Sequence, residues 1–531
     1  MEPDRQVEIQ LGHMCNNRCV FCVSGQRTAM REAFPIAAAP VLEKLREARE
    51  QGIEKVTLLG GEPTIQPEFL DVVTGAVALG FREIVVFTNG VKTARDTFLE
   101  EVLATGGDFT WRLSFQGATM LSHERTTKKL GSFGRLKETL KNLHRRGQRI
   151  TVNMCVVQSN YEAVGAFPEL LLPFGVRQVH LDMMRPLDAG VRTDDELRAT
   201  LPRYSDLAAP FTAMIEGFEK RAPGFDVNVG NLPYCVAPHL APWIHHQGET
   251  TFTVSVNQRY TLSEAKNKYR VQSRDKVKPA SCAECVFNER CSGVFETYER
   301  FYGLDELVPV THAQLATLDP AQRLFDLHVK PYVAHLEGWA PPAPFARFTT
   351  FTNAREGEVR LRFESEGDAF ALVALRRGGV GAGGVAATDR FSLHLIDAHD
   401  ARAAVALLRA LFARLCEGAP AAVLHPVADD AALLSEHALA TNIDRRIGQC
   451  LGRLRAKAPF GELAWRDARV AAGGREASVL LDTHDGNTVT VSLAIKGASV
   501  AGGYRLGRPV ASPSPSLVAS VRSVMDALRS A

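Results

Sequence analysis

Between residues 7 and 183, short apolar runs alternate six times with longer amphipathic stretches, and that alternation leaves few folds open. The strand-like runs are VEIQLG (7–12), KVTLLG (55–60), EIVVFT (83–88), WRLSF (111–115), ITVNMCVV (150–157) and RQVHLDM (177–183). Helical patterns lie near 37–51, 67–79, 94–104, 132–146 and 162–172, with another near 204–221. Strands separated by helices build a parallel sheet with the helices packed on it. No dinucleotide-binding glycine fingerprint accompanies them, so the pattern fits an open, partial (β/α)6 barrel over residues 1–221 better than a doubly wound sheet. The distinctive residues fall just after strands, where such barrels carry their chemistry.

The chain has 531 residues, too many for one core, so further domains are expected. Residues 222–310 are richer in Pro and Gly and contain four cysteines, which marks a small cysteine-rich region. A helix-like stretch (312–336) and APPAP (340–344) read as helix and linker over 311–343. Beyond it, 344–531 reads as an α+β domain that repeats itself over 344–416 and 459–531. PFARFTTFTNAREGEVRLRF from 344 echoes PFGELAWRDARVAAGGREASVLL from 459, with Arg355-Glu356 on Arg475-Glu476. A gap-free alignment then sets Val359 on Val479, Leu361 on Leu481, Val373 on Leu493 and Leu375 on Ile495. Each copy closes with a helix (about 400–416 and 515–529), and a helix near 430–457 joins them; two amphipathic meanders can also resemble each other by chance.

Sixty-two basic against sixty acidic residues leave no bulk attraction to nucleic acid. No apolar run approaches the roughly 18 residues that cross a bilayer, and the N-terminus lacks the pattern of a secretory signal. A cytoplasmic enzyme without membrane or nucleic-acid partners is therefore expected. In a reducing cytoplasm clustered cysteines are metal ligands rather than disulfides. CNNRCVFC places Cys15, Cys19 and Cys22 directly after the first strand. Three thiolates suit a 4Fe–4S cluster with one iron left open, and a zinc knuckle taking His13 as fourth ligand is the alternative. SCAECVFNERC carries Cys282, Cys285 and Cys291, and Cys235 can complete a set of four for a second 4Fe–4S cluster or for zinc. Cys155, Cys416 and Cys450 sit singly in apolar patterns and read as packing residues.

GGEP (Gly60, Gly61, Glu62, Pro63) follows the second strand and FTNG, with Thr88 and Asn89, follows the third. The glycine pair allows close backbone approach to a ligand, with carbonyls and Glu62 available to an ammonium group. CNNRCVFC, GGEP and FTNG in this order, with Phe21 before the third cysteine, strongly resemble the radical S-adenosylmethionine (SAM) superfamily over roughly residues 5–300. The resemblance implies that Cys15, Cys19 and Cys22 bind three irons and SAM chelates the fourth. It also implies that Gly60–Pro63 meet the methionine amino group and that Thr88 and Asn89 lie near the ribose. By the same analogy Ser114, in RLSFQG, contacts SAM, although Gln116-Gly117 replaces the usual Asp-Gly. Arg125 could meet the SAM carboxylate or be a solvated surface arginine. The second cysteine group, followed by Tyr298, resembles truncated auxiliary-cluster ("twitch", SPASM-related) modules.

For activity, the resemblance implies reductive cleavage of SAM to a 5′-deoxyadenosyl radical, an external one-electron reductant of flavodoxin or ferredoxin type, and hydrogen abstraction from a substrate. The expected substrate is a ribosomally made peptide, to be oxidised or crosslinked. A small molecule such as a sugar is the alternative, and a non-catalytic iron–sulfur or zinc scaffold the rival outside enzymology. Arg185, after the sixth strand, is either a substrate or SAM contact or an ordinary loop arginine. His123, His245 and His246 read as core or surface histidines, and GGVGAGG (378–384) as a hairpin connection.

Overall fold

Six strands stand where the alternation places them: β1 (Arg5–Gln10), β2 (Lys55–Leu59), β3 (Glu83–Thr88), β4 (Phe109–Ser114), β5 (Arg149–Val156) and β6 (Gln178–Met183). They pair in chain order, all parallel. The computed structural model describes residues 5–248, 250–257, 259–353, 357–377, 390–417, 425–427, 445–470, 475–497, 499–507 and 513–529. Two units divide the chain, one ending at Val310 and one beginning at Thr311.

In the first unit the sheet runs on past the six expected strands. β7 (Asp226–Gly230) and β8 (Ile244–His245) extend it beyond β6, β9 (Thr250–Val254) lies parallel beside β1, and β10 (Lys266–Asn267) turns back antiparallel on β9. The ten-stranded order is β10-β9-β1-β2-β3-β4-β5-β6-β7-β8. Residues 222–310 therefore supply strands to both ends of the barrel sheet rather than standing apart as a cysteine-rich region. They also form the ribbon of β11 (Lys276–Val277) and β12 (Val294–Phe295).

The helices of this unit are α1 (Val23–Met30), α2 (Ala38–Glu50), α3 (Phe69–Ala78), α4 (Asp96–Leu103), α5 (Met120–Thr127), α6 (Ser132–Arg145), α7 (Phe167–Leu171), α8 (Asp194–Thr200), α9 (Ala208–Arg221), α10 (Lys268–Gln272) and α11 (Glu296–Tyr302). In α6, Leu136, Leu140 and Leu143 recur at helical spacing and are wholly buried. Each contributes about 1.5–3 kcal/mol by leaving water, so Leu140→Ala would cost about 2–5 kcal/mol. The strands show the complementary period of two. Val7 and Ile9 in β1, Val152 and Met154 in β5, and Val179 and Leu181 in β6 are buried apolar residues. The alternate positions hold Glu8, Thr151, Asn153, Cys155, His180 and Asp182, so the other face of the sheet is polar.

The second unit is built twice. Among the described residues its helices are α12 (His312–Leu318), α13 (Phe325–His335), α14 (Ala401–Cys416), α15 (Arg445–Lys457) and α16 (Pro515–Arg529). One antiparallel meander is β13 (Phe345–Asn353), β14 (Glu358–Ser365), β15 (Phe370–Arg377) and β16 (Arg390–Ala398), with the short β17 (His425–Val427) parallel on β16. The other is β18 (Leu463–Val470), β19 (Glu476–Thr483), β20 (Thr488–Lys496) and β21 (Ser499–Leu506).

The structure corrects the alignment of the copies. Leu361 pairs with Val373 and Val479 with Val491, so Leu361 corresponds to Val479, 118 positions on, and not to Leu481. The same offset carries Phe363 to Leu481 and Leu375 to Leu493, all buried. It also joins the hairpin bonds Ser365 N–H to Ala369 O and Thr483 N–H to Asn487 O, both 2.9 Å. The repeat begins earlier than residues 344 and 459, because Val329 and Tyr332 of α13 and Leu336 just after it correspond to Ile447, Cys450 and Leu454 of α15. The helix expected ahead of the linker thus belongs to the first copy's core, where Tyr332 packs 5.0 Å from Phe391. Arg355-Glu356 and GGVGAGG lie outside the described residues.

Candidate active site

Two loops grip the first cysteine group. On one side Gly61 N–H bonds Gly12 O and Glu62 N–H bonds Met14 O, both at 2.8 Å. Gly61 leaves no room for a side chain there, since a Cβ would stand 2.3 Å from Met14 O and 2.4 Å from His13 O. On the other side Arg18 N–H and Val20 N–H bond the carbonyls of Thr127 and Thr126 (2.9 and 3.1 Å) at the end of α5. The three thiols converge between these anchors. Burial, then Cys15 and Cys22, push the Cys19 thiol well above the ordinary cysteine range. Burial and the nearby Glu62 push Cys15 up to about 12. The Asn89 side-chain amide lies 3.8 Å from Cys15 Sγ and 2.6 Å from Asn16 Oδ1.

Glu62 is buried, and both carboxylate oxygens accept from the protein. Oε1 takes Thr64 N–H (3.2 Å), Thr64 O–H and Thr88 O–H (both 2.6 Å), while Oε2 takes Asn89 N–H at 2.6 Å. Burial outweighs these bonds and raises the carboxyl above its usual range. Glu62 thus fastens the turn after β2 to the turn after β3. The residues offered to a ligand by the GGEP turn are its backbone groups.

Ser114 accepts Gln116 Nε2–H at 2.5 Å, and Gln116 Oε1 accepts Cys155 N–H at 3.0 Å. Gln116 N–H donates to Nδ1 of the buried His123 (3.1 Å), whose ring burial holds down to a pKa of about 4. Cys155 packs against the apolar cluster of Val157, Met184, Ala189, Leu201 and Phe301, as expected of a packing cysteine, and it also borders polar groups. It shares the polar phase of β5 with Thr151 and Asn153, lies in register with Asp182, and is pushed up by burial, then by Asp182 and Cys22. That phase was the signal in the sequence for its placement.

Arg125 lies exposed on α5. Arg185 is bound to Asp275 (3.0 Å) and Asp188 (3.3 Å), which makes it a strut between β6 and the segment before β11. His13 turns its Nδ1 to Ser24 Oγ at 2.9 Å.

The polar face of the sheet encloses charges that sequence reading missed. Lys268 pairs with Glu8 at 3.2 Å, from positions far apart in the chain. Asp182 accepts Asn231 Nδ2–H at 2.6 Å, with His180 Nε2 at 4.0 Å. Burial opposes ionisation of Asp182, but His180 and Asn231 hold its carboxyl well below the usual range. The Lys268 and Asp182 side chains remain 33% and 31% exposed, so this part of the barrel is hollow rather than packed. Beside it lies a cavity of about 330 Å³ lined by Asn231, His246, Asn267, Tyr269, Lys276 and Ser292 among others.

The second cysteine group is assembled by stacking. Tyr234 lies 4.7 Å from Phe287 and 5.3 Å from His246, which brings the adjoining Cys235 to the Cys282–Cys291 segment. Burial, then Cys291, Cys285 and Cys282, push Cys235 up to about 12, which sets Cys235 in the neighbourhood of the other three thiols. Cys291 Sγ accepts Gly293 N–H, and Cys285 Sγ accepts Val310 N–H, both at 3.4 Å; Val286 N–H closes on Val310 O at 2.8 Å. Tyr298 is buried and donates its hydroxyl to Glu306 while accepting Tyr204 N–H at 2.8 Å. Among the described residues, neither cysteine group is drawn together around the position of a single metal ion. Nor is any helix there long and apolar enough to cross a membrane.

The chain is similar in sequence to known proteins over this region. Residues 9–170 match the family model of the radical SAM superfamily. A probable GTP 3′,8-cyclase of Saccharolobus islandicus (strain M.14.25 / Kamchatka #1) is 28% identical over 210 residues, covering 37% of this chain and 63% of that protein. Human molybdenum cofactor biosynthesis protein 1 is 35% identical over 91 residues, 17% of this chain and 14% of that protein. The chain thus spans less than two thirds of the length of these curated relatives. Among solved structures, Streptococcus suis SuiB bound to S-adenosylmethionine covers 56% of this chain and 73% of its own, with 15% identity and a TM-score of 0.42. The three-cysteine loop, the two turns locked by Glu62 and strands β2 to β5 behind them all lie within residues 9–170, the stretch that matches the radical SAM family model, so this part of the chain is a radical SAM domain.

Proposed function

We propose that this chain is a radical SAM enzyme that oxidises or crosslinks a ribosomally made peptide, with Cys15, Cys19 and Cys22 holding the SAM-binding 4Fe–4S cluster. The observation that carries this reading is the convergence of those three thiols beside the Gly61 and Asn89 turns. The donor set fits such a cluster, being three thiols with no fourth protein sulfur from the same loop. When bound and reduced, cluster and SAM supply a 5′-deoxyadenosyl radical that abstracts hydrogen from substrate.

The rest is the work of the chain's own residues. The backbone of Gly60–Pro63 receives the methionine amino group, Thr88 and Asn89 border the ribose, and Ser114 is held toward SAM by Gln116. Glu62 keeps the two turns in register. Asp182, His180 and Lys268 line the hollow in which substrate is oriented, and residues 226–310 exclude water from it. Cys235, Cys282, Cys285 and Cys291 fit a second cluster, whose four thiolates leave no open iron and suit electron transfer rather than substrate ligation. An external one-electron reductant completes the reaction.

A small-molecule substrate is the second reading. It is favoured by the relatedness to GTP 3′,8-cyclases and by the polar cavity beside Lys276. Anaerobic reconstitution with iron and sulfide, then dithionite and SAM, should yield 5′-deoxyadenosine. Absence of that product from an iron-loaded chain overturns both readings and leaves a non-catalytic scaffold.

A further inference from the structure

The first copy of the duplicated unit covers the outer edge of its fourth strand with a strand of its own. β17 runs parallel to β16, pairing Arg390 with His425, Phe391 with Pro426 and Ser392 with Val427, and it lies against α14. In the second copy the fourth strand is β21, which pairs with β20 on one side and, among the described residues, with no strand on the other.

At the place that β17 takes in the first copy, a groove of about 310 Å³ runs between β21 and α16. Tyr504 and Leu506 line it from the strand, and Leu517, Val518, Val521 and Met525 from the helix. Tyr504 is 55% and Val518 43% exposed, although both are large apolar side chains. An eight-residue edge with a single charge, Arg505, also lacks the usual protection of native sheet edges by charges, prolines or a short strand. Unpaired backbone groups beside an apolar wall are what an added strand needs: main-chain bonds for affinity and a surface for every second side chain.

We propose that the outer edge of β21, with the groove along α16, docks an extended apolar peptide in trans, parallel to β21 as β17 is parallel to β16. The first copy defines the chemistry of the occupant. It is an uncharged stretch that tolerates proline, as Pro426 does in β17, because one side of an added edge strand needs no donors. That the peptide is an unmodified portion of the enzyme's substrate rests on the function proposed above.

The test uses the full chain and a labelled synthetic peptide of residues 421–428 (AAVLHPVA) as probe. Fluorescence anisotropy should show saturable binding below about 1 mM, and hydrogen exchange of Ser499–Leu506 should slow on binding. Tyr504→Asp and Val518→Asp should each weaken binding about tenfold or more, while Leu130→Asp, exposed in the first unit, should leave it unchanged. Both groove residues are substantially exposed, so neither change empties the core. Lack of saturable binding, or equal binding by both groove variants, overturns the proposal. So does full protection of β21 in the free monomer, which would mean that the chain covers its own edge. A dimer abolished by the same variants would make a second copy the occupant and likewise overturn it. Because the probe is read without iron, SAM or reductant, failure to make 5′-deoxyadenosine leaves this docking site standing. Loss of peptide binding alone leaves the radical chemistry standing.

Discussion

The carboxylate of Glu62 accepts the backbone N–H of Asn89 at 2.6 Å, a bond between two turns that lie 27 positions apart in the chain. Through it, and through the Thr88 hydroxyl, the GGEP turn and the TNG turn behave as one rigid piece beside the cysteine loop. Glu62→Gln keeps the volume but turns an amide N–H₂ toward at least one donor. Stability should fall by about 2–5 kcal/mol, the cost of leaving buried donors unsatisfied. Urea unfolding checks this, and SAM affinity of the reconstituted protein should fall with it.

Gly61 tests the same contact sterically. A Cβ there would lie 2.3 Å from Met14 O, so Gly61→Ala must push the GGEP turn away from the cysteine loop. Iron uptake at the first site should drop while the second site retains its iron. An unchanged iron content with normal SAM cleavage would show that the turn has slack.

The two cysteine groups should separate cleanly. Replacing Cys15, Cys19 and Cys22 together by Ala should remove one cluster's iron and abolish 5′-deoxyadenosine formation. Cys235→Ala should instead make the second cluster labile and depress product far more than 5′-deoxyadenosine. Mössbauer spectra that match the parent in Cys235→Ala would return that residue to a packing role.

His123 sets a pH window. Burial lowers its pKa from 6.5 to about 4, so the folded state prefers the neutral ring that accepts Gln116 N–H. Its contribution is complete above about pH 6.5 and is lost as pH falls through about 4, about 3 kcal/mol over the window. His245 and His246 are lowered too and share the decline. Denaturation midpoints at pH 7, 5 and 4 should fall less steeply in His123→Phe than in the parent.

The unit boundary is testable by truncation. A chain ending at Thr311 should stay soluble and load both clusters. One ending at Pro341 keeps α13 without its sheet, exposing Phe325, Val329 and Tyr332, and should aggregate.

The six strands and both turns were legible because their signals are local: apolar runs of five to eight residues, and glycine or asparagine immediately after them. β8 and β10, of two residues each, carry no such pattern and exist only through register with distant strands. The charged hollow was hidden for the same reason, Glu8 and Lys268 being brought together by β9 and β10 alone. The packing of Cys155 was legible in the apolar residues around it, and its phase on β5 sets it in register with Asp182 as well. In the second unit the duplication was visible while its register was not. A gap-free alignment from Arg355-Glu356 slips by two positions, and cross-strand pairing was needed to place Leu361 on Val479.

Val310, the last residue of the first unit, donates its N–H to Cys285 Sγ and receives Val286 N–H on its carbonyl. The chain therefore leaves the first unit through a sulfur that also belongs to the second cysteine group. Oxidation or loss of that sulfur removes an anchor of the exit segment as well as a member of the second cysteine group. Protease sensitivity around residues 308–312 becomes a gauge of the redox history of the protein, readable on a gel without any spectroscopy.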